Sequence, residues 1–134
     1  MASTIIPTFR YSDAPRMVAW LCQTFGFERK AVYEDEDGGI AHAELSFGEG
    51  MVMVGSIRQD AFGRLNVTPQ EAGGVTQSPY LIVEDADALH ARVMKSDAEI
   101  VMALKDQPYG SRDFSCRDPE GHVWNFGTYD PWKS

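Results

Sequence analysis

Hydrophobic positions along this chain recur with two different periods, and the alternation between them divides the sequence into segments. IIPTFRY, at 5–11, is a β-prone run. Ala14, Met17, Val18, Leu21 and Phe25 then fall at helical spacing, which predicts one apolar helix face. Asp13 stands where an N-cap belongs, Pro15 is tolerated in the first turn, and Gly26 is placed to end the helix. AVYED, the turn former Asp37-Gly38-Gly39 and IAHAELSF predict a hairpin, and Glu49-Gly50 turns into a further strand, MVMVG. The same order follows later in the chain. PYLIV predicts a strand, and Asp85 caps a helix whose Ala86, Leu89, Val93 and Met94 would face a core. Strands are expected near 99–104, 112–117 and 122–128, with turns at Pro108-Tyr109-Gly110 and at Asp118-Pro119-Glu120-Gly121.

The two halves keep register. Asp13 and Asp85 stand 72 positions apart, as do Gly26 and Ala98, and the Glu-Gly turns at 49–50 and 120–121 stand 71 apart. Each half therefore reads as strand, helix, three strands. Modules of about 1–56 and 78–134 are expected, forming a single domain. The stretch 57–77, with Pro69 and Gly73-Gly74, reads as a mobile linker or as a lid over a site.

Composition narrows the function classes. With 134 residues, 43% hydrophobic and 24% charged, the chain has the make-up of one ordinary globular domain. Its net charge of −8 repels phosphate backbones and anionic lipid heads, so neither nucleic acid nor a membrane surface is an expected partner. No apolar run approaches the roughly 20 residues of a membrane span, and the N-terminus lacks the pattern of a signal peptide. Cys22 and Cys116 are far apart with no CxxC, which reads as two buried thiols in a reducing cytoplasm.

HAELSFGEGMVMVG and YGSRDFSCRDPEGHVWNFGTY, set in a doubled βαβββ pattern, resemble the vicinal oxygen chelate superfamily, in its uncharacterised glyoxalase/bleomycin resistance branch. That superfamily includes type I glyoxalases, extradiol dioxygenases, fosfomycin-resistance enzymes and bleomycin-resistance proteins. The resemblance implies an α+β fold in which the modules' mixed sheets curl into a partly open cup with helices outside. It also implies a ligand or metal inside the cup. In metal-dependent members the ligands come from the first and last strand of each module. Carried over by position, these seats fall on Ile6, Val54, Ser78 and Asn125. Only Asn125 offers even a weak donor, so no metal or other cofactor is expected at these seats.

Strand alternation extends the expected lining of the cup. Thr8, Arg10, Val52, Tyr80, Ile82 and Val123 join those four, while Phe9, Tyr11, Met53, Leu81, Val83, Trp124 and Phe126 would point toward the helices. The expected ligand-binding set is Arg10, His42, Glu44, Val52, Val54, Tyr80, Asp113 and Asn125, with Asp113 as the repeat counterpart of His42 and Ser115 that of Glu44. His42 and Glu44 share a strand face with backbones about 6–7 Å apart. They are candidate catalytic residues, as a general base with its orienting partner or as two ligands of a displaced metal. They also read as a polar pair on a solvated face or at a dimer interface. Arg10 is suited to grip a carboxylate or phosphate, or to pair with Glu44. Arg112 and Arg117 read as surface ion pairs, His90 and His122 as exposed helix and turn residues. Trp20 and Trp132 are placed to cap the core edge or close a homodimer.

Three functions are consistent with these features. One is metal-independent binding of a small organic ligand, aromatic or antibiotic-like, by a cytoplasmic homodimer. The alternative is a glyoxalase-like lyase, isomerase or dioxygenase with a non-standard centre of a divalent metal or of acid/base groups around His42, Glu44 and Asp113. A structural partner with a vestigial cup is a third.

Overall fold

The computed structural model describes residues 2–133 and divides them between two compact units, one reaching Glu71 and one beginning at Ala72. Each unit is an open, four-stranded mixed sheet with a helix on one face, so the fold is α+β and built of two βαβββ modules.

In the first unit, β1 (Thr8–Tyr11) leads into α1 (Ala14–Phe25), followed by β2 (Glu28–Glu34), β3 (Ile40–Phe47) and β4 (Gly50–Ser56). The strands lie in the order β1-β4-β3-β2, with β1 parallel to β4 and the other pairs antiparallel. Both ends of α1 follow their local signals. The Asp13 carboxylate accepts from the Arg16 amide at 3.3 Å, and Gly26 takes the left-handed conformation (φ 89°) that lets its amide reach the Cys22 carbonyl. Ala14, Met17, Val18, Leu21 and Phe25 are buried as their spacing predicts. Trp20 sits edge-on to Phe25, at 5.0 Å between ring centroids.

The stretch 57–77 carries a 3-10 turn at Gly63–Leu65 and a four-residue helix, α2 (Pro69–Ala72). Thr68 is buried and caps α2 through the Glu71 amide at 3.3 Å. Gly63 sits so close to the Arg58 carbonyl that no side chain fits there.

In the second unit, β5 (Tyr80–Ile82), α3 (Ala86–Met94), β6 (Glu99–Asp106), β7 (Arg112–Arg117) and β8 (Val123–Gly127) repeat the order as β5-β8-β7-β6. Asp85 caps α3 through the Ala88 amide at 3.0 Å, as Asp13 caps α1. This helix ends at Met94, short of the expected stop at Ala98. Without a glycine, the turn closes through Ser96, whose amide and hydroxyl both donate to the Val93 carbonyl. Ala86 and Val93 are buried, Leu89 and His90 beside them are half-buried, and Met94 is exposed, because one further step of 100° carries position 94 off that stripe. His90 is packed edge-on against Phe114 at 5.1 Å.

Pairing shows where the sequence-based faces hold and where they slip. Thr8 pairs with Met53 and Phe9 with Val54, whereas Tyr80 pairs with Asn125 and Leu81 with Phe126. Asn125 therefore corresponds to Met53, and the last strands of the modules are offset by 72, not 71. Between the equivalent pairs Ser46–Met51 and Arg117–Val123, the connection from β7 to β8 holds one residue more than that from β3 to β4, where the hairpin closes tightly. There, Gly48 (φ 55°) occupies the first central position of a two-residue hairpin loop, a conformation favouring glycine.

This corrects the expectation for Val52 and Val54. Both are buried, at 5% and 2% exposure, and pair with Leu45 and Ala43 on the face covered by α1. Phe47, of the same parity, touches Phe27, which touches Phe25 of the helix. Burying two valines there contributes about 1.5–3 kcal/mol each, while Met53 takes the face turned away from the helix.

Candidate functional site

In each unit the sheet face not covered by its helix carries the polar residues. In the second unit that face holds Asp113, Ser115 and Asn125 beside Tyr80, and a concave pocket of about 310 Å³ lies over it. Met102, Ala103 and Lys105 of β6, with Gln107 and Tyr109 of the following turn, complete its lining together with Phe114. Three expected ligand-binding residues, Tyr80, Asp113 and Asn125, are thus brought together. Arg10, His42 and Glu44 belong to the first unit.

The pocket's side chains hold one another in place. Asp113 accepts from the Gln107 amide (2.8 Å) and the Tyr109 hydroxyl (2.8 Å). Asn125 donates to the Ser78 hydroxyl (2.8 Å) and the Pro79 carbonyl (3.0 Å), and accepts from Ser115 (2.6 Å). Tyr80 donates to the Tyr129 carbonyl at 2.7 Å. Its ring crosses Gly127, where an added Cβ would lie 2.6 Å from the phenol oxygen and 2.9 Å from both Cε1 and the Asp113 Cβ. Gly55 stands 72 positions earlier and lies in the same way beneath the Arg10 guanidinium. The repeat therefore keeps a glycine wherever a long side chain must lie flat across the last strand.

Both phenols are pushed above their usual pKa. For Tyr80 the leading cause is burial of the hydroxyl, opposed by hydrogen bonds with Ser111 and the Tyr129 carbonyl and reinforced by Asp113. For Tyr109 it is the hydrogen bond to Asp113.

In the first unit, His42 Nε2 lies 3.0 Å from Glu44 Oε2, and the Tyr33 ring stacks on the imidazole at 6.2 Å. Arg10 donates to the Ser56 carbonyl (3.4 Å) and lies over the Phe62 ring at 5.1 Å. Arg58, ion-paired with Asp60, lies over the same ring at 5.9 Å. Burial and the Arg58 charge both lower the Arg10 pKa. Arg112 forms a two-pronged ion pair with Asp87 (2.8 and 2.9 Å), and Arg117 pairs with Glu99 at 2.8 Å.

The seats that would hold a metal do not suit one. Ile6 has no donor atom, Met53 (in place of Val54) supplies only a thioether, and Ser78 and Asn125 supply a hydroxyl and an amide engaged with each other. A divalent ion requires anionic or imidazole ligands to offset its dehydration. Among the described residues no three His, Cys, Asp or Glu side chains converge as ligands would.

Sequence reasoning missed Gln107, Tyr109, Met102, Lys105 and Gly127. The correspondence of Gly55 and Gly127 was a readable signal for the last of these. The others depend on how β6 and its turn lie against β7.

Comparison with known proteins agrees with this architecture. The family model described as Glyoxalase/Bleomycin resistance protein/Dioxygenase superfamily matches residues 6–126. An uncharacterised protein of Mycobacterium bovis is 30% identical over 121 residues, covering 90% of this chain and 80% of its own. TioX from Micromonospora sp. ML1 superposes with a TM-score of 0.74 at 34% identity, over 94% of this chain and 98% of its own. The fosfomycin resistance protein FosX from Listeria monocytogenes, in a mutant form solved with Mn(II) and 1S,2S-dihydroxypropylphosphonic acid, superposes at 0.69 with 13% identity, over 98% and 94% of the two chains. That likeness is one of fold. With the matched model spanning nearly the whole chain and both modules built as the repeat requires, this chain belongs to the glyoxalase/bleomycin resistance protein/dioxygenase superfamily.

Proposed function

We propose that this protein binds and sequesters a small organic molecule, without a metal, against the open sheet face of its second module. The observation that carries this reading is the pocket itself. Two tyrosine rings and the Met102 thioether stand beside polar side chains whose mutual hydrogen bonds are already made, so a ligand meets a preformed surface. Such a wall with a few hydrogen bonds supports micromolar affinity, about −8 kcal/mol. The superfamily's name joins binding-type resistance proteins with enzymes, and the donor-poor metal seats favour the former.

The rest of the reading follows from it. Arg10, His42 and Glu44 are the ligand-binding candidates of the first module, and the stretch 57–77 links the two modules. The chain acts as a cytoplasmic homodimer. Support for association is Trp132, 86% exposed, and support for a reducing compartment is the pair of free thiols.

The alternative is an enzyme, a lyase, isomerase or dioxygenase with a non-standard metal or acid/base centre. It is favoured by the 3.0 Å contact of His42 with Glu44, an imidazole oriented by a carboxylate. One set of measurements separates the two. Calorimetric titration of the full chain against a panel of aromatic compounds should give saturable heat, and elemental analysis should find no stoichiometric metal. His42→Ala and Glu44→Gln should leave turnover of 2-oxoaldehyde–thiol adducts at background. One equivalent of Ni, Zn, Fe or Mn, with an activity lost on chelation, overturns the binding reading.

A further inference from the structure

Donors and acceptors in the second module's pocket are unequally spent. A carboxylate only accepts, so Gln107 must turn its amide nitrogen toward Asp113, which leaves its Oε1 as an open acceptor. Tyr109 gives its proton to the other Asp113 oxygen, and Tyr80 gives its own to the Tyr129 carbonyl. Both phenols therefore present ring and oxygen, not a donor. The Pro79 carbonyl fixes Asn125 in the same way, drawing its nitrogen away while Oδ1 takes the Ser115 proton. What remains is acceptor capacity on Asp113, Gln107 and Tyr109. Among the described residues lining the pocket, Lys105 is the one cation, exposed on β6 opposite Asp113 in the ladder.

We propose that this pocket selects a planar organic cation, an aromatic ring bearing a protonated amine or amidinium whose N–H groups engage Asp113. The inference rests on the binding reading above and narrows it to one ligand class. A ligand rich in acceptors would leave the Gln107 and Tyr109 oxygens desolvated and unpaired, and an anion would be repelled by Asp113. A cation instead satisfies these oxygens, gains the ring faces of Tyr80 and Tyr109, and is drawn by the chain's net charge of −8.

Fluorescence titration of the full chain with three isosteric probes tests this: 9-aminoacridine (cationic at neutral pH), acridine (neutral) and acridine-9-carboxylate (anionic). The cation should bind about tenfold or more tightly than acridine, as expected for a hydrogen bond to a charged group, and the anion most weakly. Asp113→Asn should abolish the preference for the cation, lowering its affinity about tenfold relative to that of acridine measured on the same variant. Lys105→Gln, on an exposed side chain that folding does not need, should tighten the cation severalfold. Equal or better binding of acridine or its carboxylate, or a cation preference that survives Asp113→Asn, overturns the assignment and leaves the binding reading standing. If none of the three probes binds saturably, the binding reading falls and the assignment with it.

Discussion

Replacing Gly127 by alanine tests whether the pocket floor is set by close approach. The new Cβ would lie 2.6 Å from the Tyr80 oxygen, 2.9 Å from Cε1 and 2.9 Å from the Asp113 Cβ. Ordinary carbon contacts begin near ~3.5 Å, so three atoms must retreat by more than half an ångström. The phenol ring can swing away only by breaking its 2.7 Å hydrogen bond to the Tyr129 carbonyl, and the Asp113 Cβ is held by its strand. Overpacking costs about 1–3 kcal/mol and the lost hydrogen bond about 0.5–1.5. Against this, alanine restricts the unfolded chain and returns about 0.4–1 kcal/mol. Gly127→Ala should therefore destabilise by about 2 kcal/mol in urea unfolding and weaken binding of a planar probe. The double variant Tyr80→Ala, Gly127→Ala should show a non-additive recovery, because the ring that clashes is gone. Gly55→Ala is the control. There the clashing group is the far end of Arg10, a flexible side chain, so the cost should stay within about 1 kcal/mol. If Gly127→Ala instead raises stability as an unhindered substitution does, the close-approach reasoning is wrong.

Asp118 is 3% exposed and accepts from the amides of Glu120 (3.0 Å) and His122 (3.1 Å) and from the Trp124 indole (3.0 Å). Asp118→Ala orphans these donors and should cost about 3 kcal/mol in urea unfolding; a loss under about 1 kcal/mol would refute that role. The raised phenol pKa values of Tyr80 and Tyr109 make a contribution to stability that is fully present below the usual value near 10 and lost as pH climbs through the raised ones. Urea midpoints should fall over that window, and less steeply in Tyr109→Phe; identical slopes would count against the Tyr109–Asp113 bond. Cys116 is fully buried and its thiol is pushed up to about 12, by burial first and then by Asp118. A thiol reagent at neutral pH should therefore label the half-buried Cys22 first and Cys116 only on unfolding, and simultaneous labelling of both would contradict the packing.

Much of the architecture was legible because it is local. Asp13 and Asp85 cap helices through amides three residues on, Gly26 ends α1 in a left-handed turn, and the apolar spacing of α1 fixes its buried face. The doubling was legible too, since His42 and Asp113 do occupy equivalent places, 71 apart, on β3 and β7. The misplacement of Val52 and Val54 shows the limit of such reasoning. With a side-chain period of two, one extra residue in the β7–β8 turn is enough to turn a whole strand's assignment to the other face. Only pairing of Phe9 with Val54 and of Tyr80 with Asn125 settles it.

The chain by itself determined the elements, their caps, their twofold order and the polar parity of β3 and β7, because these depend on neighbours within a few positions or on a period that the sequence displays. Tertiary structure alone decided that Gln107 and Tyr109 would turn back onto Asp113, that Tyr80 would lie across Gly127, and that the pocket's protons would be spent inward. Those contacts join residues of different strands, and their geometry depends on register and on the two shifts along β6, which no local propensity encodes.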